Sequence, residues 1–166
     1  MRLYRPVGLY ELAKVAARDF RSYPPRLPEQ PIFYPVLNRP YAEEIASRWN
    51  PGDPNSGFSG FVTAFVVPHD AAAAFPRRVV GASRHEELWV PSEDQARLEA
   101  RFEGPIVVVA AWAGARLEEA LPAWKGEPGR VRDDALHELL EAVVDGPVIG
   151  GPLTQEGERS PRDRSV

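Results

Sequence analysis

The chain has 166 residues, 43% hydrophobic and 10% aromatic, which suits one domain with a sizeable core and excludes a wholly disordered polypeptide. It contains no cysteine, which excludes a disulfide framework and a thiolate zinc site, and His69, His85 and His137 lack the spacing of metal ligands. The net charge of −4 is uneven: residues 1–112 hold 13 basic and 13 acidic side chains, residues 113–166 hold 7 and 11, and neither part is the basic footprint of a strong nonspecific nucleic-acid binder.

The longest apolar run, Ile106 to Ala113, has eight residues, against about twenty for a membrane-spanning helix. The opening Met-Arg-Leu-Tyr-Arg-Pro-Val has no apolar segment of the kind a secretory signal needs. A cytoplasmic protein without a membrane partner is expected. The 18 prolines predict short elements and many turns.

In chain order, Arg2 to Val7 reads as a short strand. Leu9 to Phe20 reads as a helix, with Leu9, Leu12, Ala16 and Phe20 at helical spacing. Four prolines make Ser22 to Pro31 an irregular loop. Ile32 to Leu37 reads as a strand, Asn38 as an N-cap and Pro40 to Trp49 as a second helix. Pro51 to Gly60 is rich in turn residues and is expected to be a mobile surface loop; its glycines do not follow a strand and open a helix as a phosphate cradle would. Phe61 to Val67, Arg77 to Val80 and Glu86 to Val90 read as strands, and Pro91 to Phe102 as a short helix. The continuous apolar segment Ile106 to Trp112 is expected to be a central buried strand.

Fifteen of the 16 aromatic residues lie in residues 1–112, so the main core is expected to end near Trp112, with a helical extension over 113–150 and a mobile polar tail over 151–166. In the extension, Leu136, Leu139, Leu140, Val143 and Val144 share one face of a helix over Asp133 to Val144, with Gly146 just past its end. Early helices followed mainly by strands predict an α+β fold.

Three segments carry candidate chemistry. Leu3-Tyr4-Arg5-Pro6-Val7 places an arginine on the first strand. Pro31-Ile32-Phe33-Tyr34-Pro35-Val36-Leu37-Asn38 sets adjacent aromatics on a strand and leads into Tyr41-Ala42-Glu43-Glu44-Ile45-Ala46. His85-Glu86-Glu87-Leu88-Trp89-Val90-Pro91 puts two carboxylates on a strand, where alternation sends them to opposite faces and leaves His85 and Trp89 on the face of Glu87. Trp89 and Trp49 are read as core residues.

In this order the segments resemble the short bacterial proteins known as "ADP-ribosylation/crystallin J1", over roughly residues 1–110. The matching phrases are Leu-Tyr-Arg-Pro-Val-Gly, Pro-Pro-Arg-Leu-Pro-Glu-Gln-Pro-Ile-Phe-Tyr-Pro-Val-Leu-Asn and Glu-Leu-Trp-Val-Pro. The order Arg5, Tyr34, Glu87 is similar to that of the ADP-ribosyltransferase superfamily, and Glu87-Leu88-Trp89-Val90-Pro91 looks like the Glu-x-x-Val-Pro of the DNA-modifying transferase toxins called DarT. The chain lacks the superfamily's Ser-Thr-Ser strand and has His85-Glu86-Glu87 in place of a Glu-x-Glu or Gln-x-Glu.

The resemblance implies a split β-sheet of ADP-ribosyltransferase type and a transferase that uses NAD as its substrate without a metal. Cleavage of the nicotinamide–ribose bond develops positive charge on the ribose, as in glycoside hydrolysis. On this reading Glu87 is the catalytic carboxylate, Tyr34 stacks on nicotinamide and Arg5 holds a phosphate or ribose oxygen. Arg26 reaches the diphosphate, and His85 orients the acceptor or Glu87. The acceptor is left open among protein, DNA, RNA, a small molecule and water. The enzyme reading requires Arg5, Tyr34 and Glu87 to converge around one cleft. Two other readings stand beside it. One is a catalytically inactive transferase-like module that binds a nucleotide or peptide. The other is an interaction domain whose C-terminal helix exposes Leu136, Leu139, Leu140 and Val143 to a protein partner.

Overall fold

The structure, a computed structural model, describes residues 1–151. It is a mixed α/β arrangement of a small antiparallel sheet and six helices. The central sheet has the order β1 (Arg2–Gly8), β3 (Ser59–Val66), β7 (Val107–Ala113), β8 (Gly129–Arg130). Two smaller ladders pair β2 (Ile32–Phe33) with β6 (Val90–Pro91), and β4 (Arg77–Val79) with β5 (Glu86–Leu88). Val36 joins them to the central sheet, bridging Tyr4 of β1 on one side and Glu87 of β5 on the other.

The segment expected to be a strand over residues 32–37 is therefore mostly an extended strap. Pro31 and Pro35 have no N–H to give to a ladder, so regular pairing stops at Phe33 and resumes as a single bridge at Val36.

Strand alternation divides the core into two layers. Leu3 and Val7 of β1 and Phe61 and Phe65 of β3 face α1 (Leu9–Ala17) and α6 (Asp133–Asp145), where Leu12, Val15, Leu139 and Val143 cover them. Val36, Val62 and Ala110 face the other way, against Tyr41, Ala42, Ile45 and Ala46 of α2 (Arg39–Arg48). The remaining helices, α3 (His69–Ala73), α4 (Gln95–Glu99) and α5 (Leu117–Ala120), are one to two turns long.

Several elements differ from expectation. Helix α1 stops at Ala17 because Asp19 and Phe20 adopt left-handed backbone, φ 55° and 57°. The apolar core does not end near Trp112: Leu117, Leu121, Trp124, Leu139 and Val143 belong to the same cluster as β1 and α1. On α6 the expected apolar face is split. Leu139 and Val143 are fully covered, whereas Val144 is exposed. Strand β7 is covered over Ala110 and Ala111 but exposes Val107, because two-residue β8 shields only its far end. The 51–60 segment is packed rather than a surface loop: it forms two 3-10 turns, and Ser56, Phe58, Ser59 and Gly60 are buried. Of the stretch expected to be a mobile tail, residues 152–166 lie outside the described residues. Among the described residues no helix is long and apolar enough to cross a membrane.

Gly60 lets α2 seat on β3. A Cβ there would lie 2.0 Å from the carbonyl oxygen of Ala46, a backbone atom that cannot step aside. Gly60→Ala is expected to lower stability by roughly 1–3 kcal/mol, measured as a shift in urea midpoint at unchanged slope. Tyr23 provides a second test. Its phenol is fully buried and bonds Thr63 Oγ1 at 2.7 Å, while Thr63 gives its own proton to the Arg5 carbonyl; Tyr23 is therefore the donor. Burial pushes the Tyr23 phenol well above the ordinary tyrosine range. A group whose folded-state value is raised gives stability that is full below its unfolded value, near pH 10, and is lost as pH rises further. Alkaline unfolding should therefore start above about pH 10, with Tyr23 absent from the native phenolate absorbance titration. Tyr23→Phe should flatten that alkaline limb.

Candidate active site

Glu87 is the centre of the site. It lies on β5 with 2% of its surface exposed, and both carboxylate oxygens are held. Oε1 accepts the Tyr41 hydroxyl at 2.9 Å and Oε2 accepts the Trp89 indole N–H at 3.1 Å. Both donors are neutral, and together they fix the direction of the carboxylate.

The backbone explains the convergence. Tyr4, Val36 and Glu87 are directly paired across adjacent segments and so share one side of the sheet, the side α2 covers. Two residues along in either direction, Tyr34, His85 and Trp89 share that side as well. Tyr34 meets Trp89 edge to face with ring centres 5.8 Å apart. On the next strand Arg78 is paired with Glu87, and its guanidinium lies 5.6 Å from the Trp89 ring centre.

Tyr41 reaches Glu87 because α2 starts where it does. Asn38 caps the helix by accepting the Tyr41 backbone N–H at 2.9 Å, and its side-chain amide donates to the Arg84 carbonyl. One asparagine thus ties the start of α2 to the turn between β4 and β5.

A polar cluster supports Tyr41 from behind. The His85 ring stacks on Tyr41 with centres 4.3 Å apart and planes 18° from parallel. Its Nε2 lies 3.1 Å from Glu44 and its Nδ1 lies 3.1 Å from the Val80 carbonyl oxygen. Glu44 also takes Arg84 at 2.8 Å and Arg48 at 3.1 Å. The Arg84 hydrogen bond, seconded by His85, holds the Glu44 carboxyl below the usual carboxylate range. Glu44, Arg48 and Arg84 also line an open cleft of about 400 Å³ beside α2, where the one carboxylate is shared by the two guanidiniums.

Arg5 is placed differently. It follows Tyr4 on β1 and so belongs to the α1 side of the sheet, opposite Glu87. Its Nε and Nη2 grip both oxygens of Glu11 at 2.9 and 2.8 Å, and the guanidinium lies 5.0 Å from the Phe33 ring centre and 5.8 Å from that of Tyr23. The expected role for Arg5, holding a phosphate, is corrected to a structural one, since its planar fork is matched to Glu11. Arg26 gives its Nε to the Ile32 carbonyl at 3.0 Å and braces the proline-rich loop against β2.

The structure therefore brings together Glu87, Tyr34 and His85, through Trp89 and Tyr41. The convergence of Arg5 with them on one side of the sheet is not seen. Tyr41 and Glu44 lie in a segment the sequence singled out but had been given no role, Glu11 was not singled out, and Trp89 was read as core although its place two residues from Glu87 was the available signal. No pattern in the sequence links Tyr41 to Glu87 across 46 positions; the fold does that. Among the described residues no group of three or more His, Asp or Glu side chains is set to hold a metal ion. No family model, no curated protein and no solved structure matches the chain.

The Arg5–Glu11 pair is nearly completely buried, and a buried pair is most costly when half of it is removed. Glu11→Ala should destabilise the fold by about 3–5 kcal/mol in urea melts. The apolar double replacement Arg5→Met with Glu11→Leu should recover most of that loss.

Proposed function

We propose that the Glu87 site, with Tyr34 and without the Arg5 that the three-residue cleft required, cleaves the nicotinamide–ribose bond of NAD and transfers the ADP-ribosyl group to an acceptor, water included. The observation that carries this reading is the orientation of a buried carboxylate by two neutral donors beside a Tyr34–Trp89 aromatic wall.

In the reaction the bonding pair of the glycosidic C–N bond leaves with nicotinamide, whose ring nitrogen becomes neutral. The ribose carries the positive charge. Glu87 is held in place before the charge appears, and a carboxylate in such a setting stabilises it far more than one that must reorient in water. The acceptor then adds its lone pair to the ribose carbon and loses a proton, so NAD and acceptor give ADP-ribosyl-acceptor, nicotinamide and one proton. Tyr34 is the surface for the nicotinamide ring, with apolar area and ring geometry both favourable. His85 acts through Tyr41, which it stacks upon, and not on the substrate.

A second reading is a binding module with the same fold and no turnover, and the engagement of Arg5 by Glu11 favours it. Of the stripe on which an interaction domain would rely, Leu139 and Val143 are covered and Leu136 and Leu140 are half-buried.

Nicotinamide release from NAD separates these readings. The wild-type protein is expected to release it, and Glu87→Gln, nearly isosteric, should lower the rate about 10²–10³-fold at unchanged thermal stability. Unaltered release in Glu87→Gln would reject Glu87 as the catalytic carboxylate, and NAD binding without release by the wild type would establish the module.

A further inference from the structure

Because Arg5 is engaged elsewhere, the anionic part of a dinucleotide needs another cation, and the register of the small ladder supplies one. We infer that Arg78 is the phosphate-binding residue of the Glu87 site and that it recognises the diphosphate of a nucleotide–sugar substrate. The inference rests on the reading of Glu87 as the carboxylate beside the ribose.

Four observations support it. Arg78 is the direct cross-strand partner of Glu87, so both side chains project from the same face, about 5 Å apart at their Cβ atoms. Arg78 is exposed, unlike Arg5. Its guanidinium lies over Trp89, the residue that also donates to Glu87. A guanidinium is planar, with paired N–H groups that can form the two-pronged contact that phosphate accepts. Among the described residues, the Trp89 ring is the one partner recorded for Arg78.

The surrounding charge agrees. From Ala71 to His85 the chain has three arginines and no carboxylate. Arg84 is ion-paired with Glu44, and Arg77 alternates to the opposite face of β4 from Arg78. The positive charge at the rim of the Glu87 site therefore sits on Arg78. In a nicotinamide dinucleotide the first phosphate stands one ribose away from the bond that breaks. A substrate with its ribose at Glu87 and its base against Tyr34 carries that phosphate out of the buried site toward the exposed rim.

The experiment is calorimetric titration of ADP-ribose into wild type, Arg78→Ala and Arg78→Lys, with nicotinamide release from NAD measured in parallel. ADP-ribose is expected to bind the wild type and to bind Arg78→Ala about 10–100-fold more weakly. Arg78→Lys should fall between, keeping the charge but losing the planar fork, and the salt dependence of binding should be shallower in Arg78→Ala. In release assays the loss should appear in KM, with kcat nearly unchanged. Equal ADP-ribose affinity in wild type and Arg78→Ala, or no binding by the wild type, would overturn the inference. Weaker ADP-ribose binding in Arg78→Ala without nicotinamide release by any form would uphold Arg78 as the phosphate ligand while rejecting the transfer reaction.

Discussion

The double pairing of Val36 is the constraint on which the site depends. One residue, set between two prolines and an N-capping asparagine, exchanges backbone hydrogen bonds with Tyr4 on one side and lies opposite Glu87 on the other. Because side chains alternate along extended backbone, that single register fixes which groups can meet. Tyr34, His85, Glu87 and Trp89 fall on the side of α2; Phe33 and Leu88 fall into the core with α1. A slip of one residue would exchange the two sets, burying Glu86 and turning Glu87 away from Tyr41. The apolar character of Phe33 and Leu88 guards against that slip, since both are fully buried in the present register.

Two buried acidic residues stand in contrast within this frame. Glu11 meets a guanidinium in a two-pronged contact, and the pair is close to electrically neutral as a unit. Glu87 is oriented by a phenol on one oxygen and an indole N–H on the other. Taking a carboxylate out of water is costly, and a cationic partner is the usual compensation. The Arg5–Glu11 pair locks the first strand to the first helix across Gly8.

Much of the fold was legible because the signals are local. The alternation of β1, the cap at Asn38, the apolar period of α6 and the turn residues around Gly57 all act within a few positions. Strand alternation around Glu87 was legible too, and it placed His85 and Trp89 correctly relative to it. Arg5 was not, because its partner choice depends on Glu11 arriving from a helix folded back over the strand. The extent of the core was misjudged because aromatic residues mark it only in the first 112 positions; beyond them, Leu117, Leu121, Leu139 and Val143 extend it with aliphatic side chains. The 51–60 segment read as a loop by composition, yet Gly60 and Ser59 already belong to β3, and the absence of a Cβ at Gly60 is what allows α2 to pack there.

The placement of α2 links the fold to the chemistry. Its apolar face rests on Val62 and Ala110, its capped first turn presents Tyr41 to Glu87, and Glu44, one turn on, gathers His85 and Arg84 from the β4–β5 turn. Stacking of His85 on Tyr41 keeps the phenol from rotating, and the phenol in turn keeps the carboxylate from rotating. Each member of this chain has its orientation set by a neighbour further from the carboxylate, ending at backbone atoms of Arg84 and Val80. Such a chain places the entropy cost of positioning Glu87 in the folding of the domain, so little remains to be met when a substrate binds.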